Sequence, residues 1–375
     1  PILAILSAFE DLVLDLAYRF FFFNNTGSTE TWRVGGRWRI TDGLMLRATE
    51  ARAVRAPNVG ELFTPQVQTF ALLTDPCDDD NVNAGTSERF GNCDAALLAL
   101  GAPGAGVFNN TLSAAVEGRI GGNPNLQPEE ADTSTAGIVW QPRFIPGLSV
   151  SLDWYNIELT QAIQAFSAQT ILDKCYYWPK PYTFCDLIVR APGTGLLQFF
   201  QQFTVNVASY ETSGYDLTVR YQFDPADIMP SWNYGTFAFQ LVGNKLEDLT
   251  FIELADAAPD NTVGDPGAPE HQVTFDASWR WGNFLFNYGW RWFDETRRFS
   301  QERQAANPDW VPPSYWTFSE RSTHNIYAEY EFANRFTLYG GVNNVGNQEP
   351  DRGSLDRPVS PLGRYFFVGG KLRMN

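Results

Sequence analysis

The sequence predicts an all-β protein: part of an antiparallel transmembrane β-barrel, about twelve strands long, with short turns at one end and long loops at the other. Three observations carry this. Apolar and polar residues alternate with a period of two, the alternating runs often reach about ten residues, and the connections between them are short and long by turns. Successive side chains of a strand point to opposite faces, so the alternation gives each strand one apolar and one polar side. Sandwich strands are nearer ~5–6 residues, whereas a tilted strand needs ~9–11 to cross a bilayer. A soluble sandwich would also alternate, but it needs a second apolar layer that the sequence does not supply.

The strands can be placed in order. The first begins near residue 11, where Leu12, Leu14, Leu16 and Tyr18 alternate with Asp15, Ala17 and Arg19. Strands near 30 and 44 flank the turn Thr41-Asp42-Gly43, and 56–130 is the first long loop. Strands near 131 and 148 flank 142–147; in the second, Leu148, Val150, Leu152 and Trp154 oppose Ser149, Ser151, Asp153 and Tyr155. After the loop 160–205, strands near 206 and 233 enclose 224–232, with Leu217, Val219, Tyr221 and Phe223 opposing Asp216, Thr218 and Arg220. Beyond the loop 247–269, strands near 270 and 283 meet at Gly282-Asn283 and carry Trp279, Trp281, Tyr288, Trp290 and Trp292. The loop 299–320 leads to strands near 321 and 335 around Ala333-Asn334, and the loop 345–361 leads to a strand near 362. The 23–29 connection is brief where parity requires a long one. No comparable helical period is present.

Short turns alternating with long loops describe an outer-membrane barrel, with tight periplasmic turns and long extracellular loops. Hydrocarbon offers backbone N–H and C=O groups no partner, so only a sheet with every ladder bond made crosses it. Parity leaves Asn375 on the periplasmic side, and strand-end aromatics become interfacial girdles. Arg220, Arg280, Arg291, Glu329 and Glu331 fall on the polar face, as a wet interior requires.

Composition removes other classes. Lys and Arg total 27 against 43 Asp and Glu, and the resulting net charge of -16 repels phosphate backbones, which excludes a nucleic-acid partner. Uncharged apolar stretches such as 1–9 fall short of the roughly 18–20 residues of a spanning helix, and no basic segment of a signal peptide precedes Pro1. Four cysteines form two close pairs, Cys77 with Cys93 and Cys175 with Cys185, each inside one long loop, as disulfides of an oxidising compartment do. Zinc is the competing reading, but the spacings are not those of a finger and neither His271 nor His324 is near.

Two histidines leave little for catalysis. No nucleophile elbow, metalloprotease or phosphate-loop motif occurs, so no enzyme and no cofactor is expected. The acidic run 75–80 has oxygen ligands for calcium but lacks the turn Gly and distal Glu of a calcium loop, and reads first as a solvated acidic loop. Among loop aromatics, Trp178, Trp310, Tyr315 and Trp316 are candidate ligand contacts by stacking; the competing reading is that they cover the loops' own core. Acidic walls disfavour small anions and tolerate neutral sugars or cationic complexes.

The segment Arg52-Ala-Val-Arg-Ala-Pro-Asn-Val-Gly-Glu-Leu-Phe63 resembles the TonB-dependent outer-membrane receptors, whose barrel carries a similar R-A-P-x-x-x-E-L-F segment at a strand top. Arg55, Ala56, Pro57, Glu61, Leu62 and Phe63 match it. Asn123, Pro124, Leu126, Pro128 and Glu129 are similar to the family's N-P-x-L-x-P-E motif, and 342–350 with 363–370 to its closing loop and strand. The resemblance implies an outer-membrane active transporter of a Gram-negative bacterium for a bulky scarce nutrient such as an iron–siderophore or oligosaccharide. Its barrel would have about 22 strands and enclose an N-terminal plug. The chain 1–375 then supplies the C-terminal portion of the barrel domain, without the plug, its TonB box or the first strands. Partners implied are a TonB complex reached through the plug, outer-membrane lipid and lipopolysaccharide, and the nutrient. Two positions depart from the family pattern: Phe20–Phe23 stands where a polar loop tip is usual, and Met374 takes the outward place of a terminal aromatic. The alternative reading is a passive twelve-stranded porin, which requires closure between the first and last strands.

Overall fold

The computed structural model describes residues 11–23, 27–84, 86–110, 115–177, 184–206, 209–252, 259–299, 311–332, 335–351 and 360–373. Twelve strands form one antiparallel meander in which chain order is sheet order. They are β1 (Leu12–Phe23), β2 (Gly27–Thr41), β3 (Leu44–Arg55), β4 (Glu129–Trp140), β5 (Leu148–Thr160) and β6 (Ser209–Phe223). There follow β7 (Thr236–Ile252), β8 (His271–Trp281), β9 (Phe284–Phe293), β10 (Arg321–Phe332), β11 (Phe336–Asn343) and β12 (Tyr365–Leu372). Every start lies within three residues of its sequence-based position, because the alternation that defines a strand also fixes which face it buries.

Cross-strand register collects the apolar positions on one face. Leu152, Leu217 and Gly243 lie in one row, and Val150, Val219, Leu241 and Phe275 in the next. Near the short turns this face becomes aromatic: Phe223 stacks on Phe237 at 5.4 Å, Phe237 on Trp279 at 5.9 Å, and Trp279 meets Phe284 edge-on. Trp290 and Trp292 sit at the far end of the same face. The run from Phe284 to Trp292 spans about 27 Å at ~3.4 Å per residue, or about 20 Å after a typical tilt, which suits the ~25 Å apolar band of a barrel. The Phe20–Phe23 run is strand rather than loop tip: it completes β1, and Phe20 and Phe22 project on the apolar side. Positions 24–26, 333–334 and 374–375, Met374 among them, lie outside the described residues. No pairing joins β1 to β12 among the described residues.

The long loops depart from the sequence-based expectation because they contain helices. Loop residues 56–128 carry α1 (Val59–Phe63) and α2 (Ser87–Ala99), and the second loop carries α3 (Ala168–Tyr177). These helices are short or set among irregular segments, so their period stays below the alternation of the wall. A second sheet is shared between the two loops: residues 67–71, 116–121, 188–190, 197–206 and 163–165 make its strands. Its central pair, 197–206 with 116–121, is parallel and joins segments about eighty positions apart.

The buried core belongs to this loop unit and not to the wall. Cys77, Val82, Cys93, Leu97, Phe108, Leu172, Cys175 and Phe200 form it. Phe200 lies directly on Gly118 of the neighbouring strand, where an added Cβ would stand 2.4 Å from the ring. Gly118→Ala is therefore expected to cost the loop unit about 1–3 kcal/mol through overpacking. Limited proteolysis should show faster cleavage between residues 56 and 206 with the wall unchanged.

Candidate functional site

The two loops form a cap above the wall, and a buried ion pair sits beside its apolar core. Asp75 and Arg190 meet inside it: Arg190 Nη1 donates to Asp75 Oδ2 and Nη2 to Oδ1, both at 2.7 Å, with side chains 0% and 3% exposed. Arg190 Nε donates to the Tyr176 hydroxyl and Nη1 also to the Gly195 carbonyl. Each nitrogen of the fork thereby has a partner, as a buried guanidinium requires. Burial alone would lower the Arg190 pKa, but Asp75 and Tyr176 hold it above its ordinary value.

The cysteines pair as expected. Cys77 bonds Cys93 with Cα atoms 5.3 Å apart, tying the acidic turn to α2, and Cys175 bonds Cys185 at 4.7 Å, tying α3 to the segment that follows. The acidic run divides in role. Asp75 is spent on Arg190. Asp78 accepts from the amides of Asn110 and Asp80, while Asp79 and Asp80 are exposed. The carboxylates of Asp78, Asp79 and Asp80 come within 4.8 Å of one another, which sequence reading could not separate from the ion-paired Asp75.

The motif residues build the mount of the cap. Asn58 caps α1 by accepting from the Glu61 amide at 2.9 Å, and Glu61 returns the bond to the Asn58 amide at 2.8 Å, a reciprocal capping box. Arg55, at the end of β3, bonds both Glu129 at the start of β4 and Glu61 of α1. Glu129 also accepts from the Ile163 amide after β5, at 2.6 Å. Asn123 donates from its amide to the Glu61 carbonyl and from its side chain to the Thr204 carbonyl. Leu62, Pro57 and Leu126 are buried within the joint, Ala56 and Pro128 are partly buried, and Phe63 and Pro124 face outward. Asn206, missed in the sequence, completes it by bonding the backbone of Gln127 and Gln161. The upper ends of β3, β4, β5 and β6 are thus fastened together by one polar joint.

The polar face of the wall is mixed in charge rather than acidic. Arg33, Arg37 and Arg47 of β2 and β3 share a recess of about 570 Å³ with Asp15, Asp153 and Asp216, and Arg47 forms a two-pronged pair with Asp153. Arg220 and Arg291 line a second recess of about 630 Å³ among Gln240, Asp276, Asn287 and Asn325. Glu329 and Glu331 border a third with Arg335 and Lys371, and Arg280 lies opposite Thr236.

The ligand-contact candidates separate. Trp316 is buried and meets Phe299 edge-on at 6.1 Å, so its ring is used in the loop's own packing. Tyr315 is exposed on one side and lies 4.9 Å from the Arg298 guanidinium on the other. Trp178 and Trp310 lie outside the described residues. His271 Nδ1 bonds Asp294 at 3.0 Å. His324 lies on the apolar face, where Tyr288 bonds Nδ1 at 2.7 Å and the Trp290 indole donates to neighbouring Ser322. The closing-loop motif turns on Asn344, a buried left-handed residue whose side chain clamps the backbone of Gln348 from both ends.

A family model, described as the TonB-dependent receptor-like β-barrel, matches residues 6–345. The chain belongs to this family. Solved receptor barrels share the fold at low identity. The siderophore receptor PirA from Acinetobacter baumannii is 14% identical with a TM-score of 0.59, over 97% of this chain and 43% of that one. A mutant of the ferric enterobactin receptor PfeA from Pseudomonas aeruginosa, in complex with enterobactin, is 15% identical with a TM-score of 0.58, over 97% and 43%. The FrpB iron transporter from Neisseria meningitidis is 11% identical with a TM-score of 0.51, over 96% and 43%. This chain thus spans under half the length of these receptors. No curated protein matches it. As a TonB-dependent receptor barrel, it is an outer-membrane protein of a Gram-negative bacterium.

Proposed function

We propose that this receptor barrel is the C-terminal portion of an active transporter that takes up a bulky scarce nutrient. An iron–siderophore complex, an oligosaccharide or a molecule of similar size is the cargo. Energy would come from a TonB complex acting through a plug domain that lies outside this chain. The observation carrying this reading is the cap: two long loops folded around a buried ion pair and two disulfides, fastened at the ends of the wall strands. A passive channel has no need of so large a folded unit above its wall. The porin reading also requires a ladder between β1 and β12, and the described residues make none. Outer-membrane lipid and lipopolysaccharide surround the barrel in this reading, and the wall does no bond chemistry.

The test uses the whole gene from which the chain comes, deleted and restored in its host. Uptake of radiolabelled ferric siderophores and oligosaccharides should fall on deletion, return on restoration, and fall again when TonB is removed. Uptake indifferent to TonB, together with open channels in planar bilayers, would replace the transporter by the porin.

A further inference from the structure

The turn joining β6 to β7 exposes several large apolar and aromatic side chains. It contains α4 (Pro225–Ile228), whose N-terminus is capped by Asp224 accepting from the Ala226 amide. Backbone bonds from Met229 to Pro225, Trp232 to Met229 and Tyr234 to Trp232 make it compact. Yet Ile228, Met229, Trp232 and Tyr234 remain 70%, 45%, 42% and 56% exposed. Four such side chains on an ordered turn of one barrel need a partner, because an apolar patch left in water is costly.

The geometry shows which side the turn faces. Trp279 is on the lipid-facing surface, in register with Phe237 and Phe286. Its indole N–H donates to the Tyr234 carbonyl at 2.6 Å, which draws the turn onto that surface. Gly235 makes the bend possible: its φ is +77°, and a Cβ there would stand 2.0 Å from the Arg280 carbonyl oxygen. The exposed residues therefore continue the aromatic girdle of Phe223, Phe237, Trp279 and Trp281 instead of hanging below it. Phe144, 77% exposed on the adjacent turn and edge-on to Trp140, extends the same surface.

We infer that the 224–235 turn is an interfacial anchor, with Ile228, Met229, Trp232 and Tyr234 seated at the headgroup–acyl boundary of the bilayer leaflet next to the short turns. Short amphipathic elements with a Trp bind there by burying a few apolar side chains while their polar groups stay wet. Asp224 and Asp227 supply the wet side, and being acidic they favour a zwitterionic headgroup over an anionic one. The inference rests on the lipid-facing assignment of the wall, so the experiment contains a separate control for it.

The whole receptor from which the chain comes is reconstituted into phosphatidylcholine vesicles with or without lipids brominated high on the acyl chain. Emission of wild type minus Trp232→Phe isolates Trp232, and wild type minus Trp281→Phe isolates a girdle residue. Both signals should be blue-shifted and lose at least half their intensity to the brominated lipid, and aqueous iodide should barely quench Trp232. Trp281 quenched with Trp232 unquenched would overturn the anchor and leave the barrel standing. Neither quenched would overturn the membrane-spanning reading, and the anchor with it. Trp232 shielded from both iodide and bromine would place a protein on the turn and also overturn the anchor.

Discussion

Asp75→Asn should unfold the cap and spare the wall. The substitution keeps the volume of the side chain but leaves Arg190 as a buried charge without its counterion, and breaking such a pair from one side costs about 3–5 kcal/mol. That exceeds what one cap disulfide is expected to contribute, roughly 3 kcal/mol for a loop of this length. Proteolysis should cut the variant within 56–206 at a rate at least an order of magnitude above wild type, while heat-modifiable migration of the barrel persists. The double replacement Asp75→Leu with Arg190→Met should recover much of the loss, since an apolar pair of similar volume avoids the uncompensated charge. Equal sensitivity of single and double variants would mean that the site is held by shape and not by charge.

Val219→Arg should be the most damaging single change in the wall. Val219 pairs with Val150 on one side and Leu241 on the other, mid-way along the apolar face. An arginine placed on the lipid face near the bilayer midplane costs about 2–4 kcal/mol. Thr218→Arg, one residue away, reverses the face and enters the polar side, where the cost should be close to zero. Urea unfolding in vesicles, followed by tryptophan emission, measures both. Equal losses at 218 and 219 would remove the distinction between lipid and water faces on which the wall is assigned.

The wall was legible because its signal is local. A strand such as Leu148–Thr160 shows its two faces in any five residues, and lipid on one side with water on the other keeps the contrast sharp. The disulfides were legible for a similar reason, since each pair closes within its own loop. The cap was not, because its defining contacts are distant in sequence: Asp75 with Arg190, and Val116–Gly121 in parallel with Leu197–Asn206. No window of sequence contains both partners. The helices of the loops went unseen beside the stronger alternation, and Trp316, attractive as an exposed stacking residue in a long loop, is buried against Phe299. The motif residues could be recognised by resemblance, but their work as a joint needed Asn206 and Ile163, which no motif contains.

The joint at the strand tops has a mechanical consequence. Arg55, Glu129, Ile163 and Asn206 bolt four neighbouring staves to one another and to the loops above them. Those staves and their superstructure must therefore tilt as a single plate, and any dilation of the mouth has to occur along seams elsewhere in the circumference.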